Sequence, residues 1–251
     1  MPEIDRRTFG RTTMDALLTF SVLETIITSD VLAADVKPIT AKWLEEINTL
    51  SRDSKKNKLT QVQWQTKVEA LFEKVNLPEL LSYVDFKTLI SKVKYPENGA
   101  KSIQAKFPQV DGLPTRLQFG HQIFAMKKGR SIVPHGHNNM ATAFIVLDGS
   151  FHGRHYDRIE DQKDHVIIRP TIDRKFKAGD HSSISDDKDN IHWFKLNSDI
   201  GHVFNVRVVT NRPDGGPATG RVYVDPQGEK MSDGKILAPR MKSKDAHKKY
   251  G

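Results

Sequence analysis

Cysteine is absent from the 251 residues. That absence excludes disulfides, cysteine-ligated zinc, iron–sulfur clusters and a thiol nucleophile. It leaves the compartment open, because a cysteine-free chain tolerates reducing and oxidising surroundings alike. Long apolar runs are also missing. No stretch approaches the ~20 residues that a spanning helix requires, so a soluble chain with no membrane span is expected. Lysine and arginine outnumber the acids and give a net charge of +8, yet no dense basic block is interleaved with aromatic residues. A nucleic-acid partner is therefore not expected, and the charge reads as solubility. There is no internal repeat and no low-complexity tract. The length suits one main domain with appendages.

Four segments are expected. Residues 1–34 resemble a twin-arginine export signal: Arg6-Arg7, Phe9 two positions on, Arg11, an apolar stretch from Ala16 to Leu23, and small residues at Val31-Leu32-Ala33-Ala34. Such a signal implies a periplasmic or otherwise exported protein. Asp15, Glu24 and Asp30 interrupt the apolar stretch, so an uncleaved amphipathic helix on a cytoplasmic protein is the alternative. Residues 35–98 have the helical period. Trp43, Leu44, Ile47 and Leu50 share one face; Trp64, Val68, Leu71, Phe72 and Val75 share another; Leu80, Leu81, Val84, Leu89 and Ile90 imply a third helix. Thr60 to Gln63 and Asn76 to Glu79 have the form of capping boxes. These stripes are packing surfaces, for a barrel face or for a partner, and they do not reveal the oligomeric state.

From about residue 99 to 212 the pattern changes. Short runs rich in β-branched and aromatic residues, such as Thr142 to Leu147 and Val203 to Val209, alternate with Gly, Asp, Asn and Pro. Many short strands without intervening helices argue for an antiparallel sandwich or barrel. Residues 213–251 are polar and basic, and are expected to wrap the surface or lack order, apart from a possible short strand at Arg221 to Val224.

Nine of the ten histidines lie between His121 and His202. Spacing matters more than abundance here. In His135-Gly136-His137 the two imidazoles are two residues apart, so in a strand they share a face and can meet one cation. Asp148-Gly149 supplies a hairpin turn after the apolar strand Ala143 to Leu147. His192 follows the turn Asp186 to Asn190 and supplies a third imidazole. His152 and His155 have odd spacing, which puts them on opposite faces, so one of them could look inward. His121, His165, His181 and His202 read as structural or exposed.

Gly129, His135, His137 and Gly149 fall where the first motif of the cupin superfamily has them, with Thr142 at the position of its usual Glu. Gly179, the Asp186–Asn190 turn and His192 are similar to the second motif, without its usual Pro and Gly, and with Asn197 one residue beyond the usual Asn. The resemblance implies a mainly β fold, the double-stranded β-helix or jelly-roll barrel of cupins, preceded by an α-helical extension. It implies one divalent metal on His135, His137 and His192: iron(II) first, with Mn, Ni or Zn as other occupants.

Three-histidine sites without the Glu are characteristic of thiol dioxygenases. The stretches His135 to Met140, Leu147 to Ser150, Tyr156-Asp157 and Asp189 to His192 resemble those of plant cysteine oxidases and their aminoethanethiol-oxidising relatives. The implied activity is an Fe(II) dioxygenase that oxidises a small thiol or related polar substrate with O2. A non-catalytic metal- or ligand-binding cupin of the cell envelope is the alternative, and an isomerase or decarboxylase on the same histidines is a third reading. The Ser-His-Tyr trio of animal cysteine dioxygenases is absent, since the comparable strand reads Phe204-Asn205-Val206-Arg207-Val208-Val209. A cysteine–tyrosine cross-link is impossible. Arg116, after Thr115, and Arg207 are candidates for pairing with a substrate carboxylate. Tyr156 is a candidate donor to bound oxygen or else a strand cap.

Overall fold

The structure is a computed structural model that describes residues 30–105, 107, 116–210 and 219–251. The signal-like run Asp5 to Leu23, Thr115 and the Pro213–Pro217 loop lie outside the described residues.

Helix α1 (Asp30–Lys55) contains Val31 to Ala34, the small-residue stretch read as a cleavage region. Thr60 then starts α2 (Gln61–Phe72) with a reciprocal capping box: its hydroxyl accepts from the Gln63 amide while the Gln63 side chain accepts from the Thr60 amide. Trp64, Val68, Leu71 and Phe72 form the buried stripe that their spacing predicts. Asn76 caps α3 (Leu77–Tyr83) by accepting from the Glu79 amide. The single third helix expected from the periodicity is two. Asp85 adopts a left-handed backbone at φ 46°, which Asp tolerates better than most residues. That break separates α3 from α4 (Phe86–Ser91) and turns Phe86 inward, edge-on to His202.

Twelve strands follow: β1 (Lys101–Ile103), β2 (Gly120–Lys127), β3 (Ser131–Asn138), β4 (Met140–Asp148), β5 (Ser150–Asp161), β6 (His165–Lys177), β7 (His181–Ile184), β8 (Ile191–Leu196), β9 (Ile200–Val209), β10 (Gly220–Val224), β11 (Glu229–Lys230) and β12 (Ile236–Met241). Helix α5 (Ser243–Tyr250) comes last. One sheet runs β1-β2-β9-β4-β7 and the other β10-β3-β8-β5-β6-β12-β11, with antiparallel pairings throughout. From β2 to β9 successive strands fall alternately in the two sheets except for β5 and β6, which form a hairpin in the second. The inner orders β2-β9-β4-β7 and β3-β8-β5-β6 are those of an eight-stranded jelly roll, the double-stranded β-helix.

Period-two alternation assigns each residue of the first sheet to a layer. Ala141, Ala143, Ile145 and Leu147 of β4, with Phe204, Val206 and Val208 of β9, pack against Trp43, Leu44, Ile47, Trp64 and Phe72 of the helices. The intervening Phe144, Val146 and Val203 face the barrel interior with Met126, Phe151, Phe176, Phe194 and Leu196. Both faces of β4 are thus buried, which is why Ala143 to Leu147 form a continuous apolar run with no polar alternation. Buried Gln61 ties the helical layer to the barrel rim, donating to Thr210 Oγ1 at 2.8 Å and Asp186 Oδ2 at 3.0 Å while accepting from the Asp186 amide at 2.7 Å.

Residues 219–251 correct the expectation of a surface wrap or a disordered tail. β10 pairs with β3, β12 pairs with β6, and α5 packs on Val133 and Trp193 through Ala246 and Tyr250. The Tyr250 hydroxyl donates to Asp225, and Ser131 donates to the Tyr250 carbonyl. The segment is polar on average because only alternate residues are buried: Val222, Val224, Ile236 and Ala238 point into one small apolar cluster. An averaged composition conceals such a pattern.

Candidate metal centre

The site begins with an irregularity. On β3 and β8 the register pairs Ile132 with Phe194 but His135 with His192. Three residues of β3 therefore oppose two of β8, a bulge at Val133-Pro134. Pro is at home there, since it has no amide to offer the ladder. Ile132 and Phe194 face the interior. Were this sequence to run on as a regular strand from Ile132, Pro134 would take the next inward position and both histidines would point out. The bulge resets the phase so that His135 and His137 face inward with His192.

The three imidazoles converge. Ring centroids lie 4.8 Å apart for His135 and His137, 4.3 Å for His135 and His192, and 5.4 Å for His137 and His192. One ligand nitrogen from each lies within 4.8 Å of the other two, and all three residues are buried. Nitrogens this close could serve together as ligands to one divalent ion with metal–nitrogen bonds of ~2.1 Å. The donor set fits a divalent transition metal.

The chain orients these rings. His135 Nδ1 donates to the Val133 carbonyl at 2.7 Å, so the bulge that sets the phase also sets the tautomer, leaving Nε2 free to ligate. His192 Nδ1 lies 3.4 Å from the Asn190 carbonyl. Asn190 donates to the His137 carbonyl at 2.9 Å and the Ser185 carbonyl at 2.8 Å. Only glycine permits that approach, because a Cβ on Gly136 would stand 2.1 Å from Asn190 Oδ1. Burial keeps the rings neutral, the form that binds metal: it lowers His135 to about 3 and holds His137 and His192 well below the usual imidazole value, helped by the positive neighbours Arg221 and Arg207 at His137.

The imidazoles line a cavity of about 300 Å³ whose wall also includes Thr142, Phe144, Asn205 and Arg207. Arg207 reaches it from β9, in register with Thr142, and burial followed by the charge of Arg221 lowers its pKa. Two other sequence candidates lie elsewhere. Arg116 is exposed and does not line the cavity. Tyr156 pairs with Ile191 on the outward face of β5 and packs with Val166, Ile168 and Val224, burial pushing its hydroxyl up to about 12. His155 is the inward member of its pair, directly across from His192, yet it is not part of the ligand cluster. Among the described residues its Nδ1 has no partner, and burial lowers the ring to about 3. His152 lies on the other face beside Asp173. His202 is buried on the helix side, with Nδ1 2.6 Å from Asp148 and Nε2 3.0 Å from the Tyr95 hydroxyl.

Sequence reasoning missed Arg221, which β10 places in register with His137. The available signal was the alternation of Arg221 and Tyr223 with Val222 and Val224, which only a strand would make meaningful.

No family model matches the chain, and no curated protein matches it. Among solved structures it is similar to an uncharacterised protein with a double-stranded β-helix domain from Klebsiella pneumoniae, at 13% identity over 53% of this chain and 85% of that one, with a TM-score of 0.33. It is also similar to procruciferin, an 11S globulin from Brassica napus, at 14% identity, 36% of this chain, 20% of that one and a TM-score of 0.29. An 11S globulin from Wrightia tinctoria gives 12% identity, 51% of this chain, 28% of that one and 0.34. The chain thus spans well under half of the globulins it matches, and at these scores the alignments say nothing about activity. The strand order carries the fold: a cupin-type double-stranded β-helix behind an α-helical layer, with a buried three-histidine group that could hold a metal ion.

Proposed function

We propose that this protein is a metal-dependent cupin enzyme, an iron(II) dioxygenase that oxidises a small thiol or related polar molecule with dioxygen. The observation that carries the reading is the convergence of three neutral imidazoles, with no carboxylate among them, on the wall of a cavity large enough for a small molecule. Iron(II), when bound, supplies the electrons that activate dioxygen. The chain supplies the rest. His135, His137 and His192 each bring one ring nitrogen to within 4.8 Å of the other two. Phe124, Met140 and Phe144 give the cavity an apolar flank that lowers the local dielectric and strengthens polar contacts within it. Arg207, which lines the cavity, would pair with an anionic group of the substrate.

Metal analysis of anaerobically purified protein, coupled to oxygen uptake across a panel of small thiols, tests this reading. His135→Ala is expected to abolish both iron content and oxygen consumption, and a variant that kept normal iron would contradict it. The second reading is an exported, non-catalytic metal- or ligand-binding cupin, which the signal-like Arg6-Arg7 run supports. Stoichiometric metal with no uptake on any thiol favours that reading.

A further inference from the structure

Arg207 and Arg221 reach the same cavity from opposite sheets. Arg207 belongs to β9, beside Thr142, and Arg221 to β10, beside His137. Elsewhere on this protein arginines face carboxylates, as Arg158 does with Asp161 and Arg169 with Asp157. Among the described residues, Arg207 and Arg221 have no ion-pair or hydrogen-bond partner, and no Asp or Glu lines the cavity. A further polar group waits beside them. Thr142 is 2% exposed and lines the cavity, and among the described residues its hydroxyl has no hydrogen-bond partner. A buried hydroxyl left unpaired is unfavourable, and so are two like charges sharing one pocket. Both penalties fall away when an oxyanion enters.

We propose that the cavity binds a dianionic small molecule, a dicarboxylate or a phosphate monoester, with one oxyanion held between Arg207 and Arg221 and receiving the Thr142 hydroxyl proton in a hydrogen bond. Charge balance selects a dianion over a monoanion. Two guanidiniums and a divalent ion would share a cavity with no fixed negative charge, and one carboxylate offsets only a fraction of that. Planar guanidinium forks match carboxylate and phosphate oxygens pairwise. The anionic end would sit between the sheets while the rest of the molecule extends toward the imidazoles. This inference deepens the metal-enzyme reading and rests on it only for where the reacting end lies.

Calorimetric titration at pH 8 and constant ionic strength, on protein as purified and with metal content measured on the same sample, tests it. The probes are malonate, inorganic phosphate and acetate. Malonate or phosphate is expected to bind at least about tenfold more tightly than acetate. Arg221→Gln and Arg207→Gln are each expected to weaken that binding about tenfold or more, with metal content and anion-free melting temperature unchanged. Preference for malonate assigns a dicarboxylate, and preference for phosphate assigns a phosphate monoester. Acetate binding as tightly as either dianion, or full dianion affinity in Arg221→Gln, would overturn the proposal. Arg221 is exposed, so its variant decides the matter even if Arg207→Gln folds poorly. Metal-free protein that still selects dianions would sink the metal reading and leave the anion site standing. Metal-loaded protein without selectivity would do the reverse.

Discussion

The two ends of the barrel interior are built from the same strands and serve opposite purposes. At one end Met126, Ile132, Phe151, Phe176, Phe194, Leu196 and Val203 fill the space with apolar side chains that water scarcely touches. At the other, a few residues along those strands, the inward positions hold His135, His137, His192, Thr142, Asn205 and Arg207 around a cavity. Phe144 borders both regions, and so does His155, whose ring lies near Phe194 on one side and is paired with His192 on the other. The filled end supplies the stability that lets the open end keep poorly satisfied polar groups such as the Thr142 hydroxyl. Jelly rolls can separate the two along a single strand because inward positions repeat every second residue, and each can be assigned independently.

Three measurements would break or sharpen that division. The largest effect is expected at the open end from Gly136→Val, because a Cβ there would stand 2.1 Å from Asn190 Oδ1, on the side chain that ties β3 to the turn before His192. Metal uptake should vanish while circular dichroism still reports β structure, and retained metal would show that the imidazoles converge without that close approach. Next, Phe151→Ala, at the filled end, should lower stability by about 3–5 kcal/mol in urea denaturation. Its metal stoichiometry should stay normal, and loss of metal there would mean the two ends are coupled. The smallest effect concerns His155, at the boundary. Its ring is neutral in the fold, lowered to about 3 by burial; unfolded, it titrates near ~6.5. Below that value the unfolded chain binds a proton that the folded one refuses. Stability is therefore fully present above ~6.5 and falls as the pH drops toward the folded value. His155→Leu should flatten that fall by about 1.4 kcal/mol per pH unit between pH 6 and pH 4, measured on metal-free protein. An unchanged slope would mean that His155 gains a partner in solution.

Much of this was legible in the residues, and the failures have physical causes. The His135-Gly136-His137 spacing, the Asp148-Gly149 turn and the Thr60 to Gln63 box are local signals, and local signals survive folding. Which face the histidine pair would present was not local. It depends on the register of β3 against β8, and only the count of three residues against two reveals the bulge. Asp85 misled for a similar reason. Its neighbours have an unbroken apolar period, and one left-handed residue ends the helix without disturbing that pattern. Arg221 was hidden by averaging, since a basic segment with alternate valines has the composition of a tail and the geometry of a strand. Tyr156 and His155 are adjacent in the chain, yet they face opposite sides of β5, so proximity in sequence to the histidine cluster said little about proximity to the cavity.

The pairing of β10 with β3 bears on the order in which the protein can be finished during synthesis. Until residues 220–224 have left the ribosome, the strand that bears His135 and His137 is the edge of its sheet. Its unpaired backbone groups are then open to adventitious strands from other chains. The cavity also lacks Arg221 at that stage, so its wall is completed only by the last strands to be made.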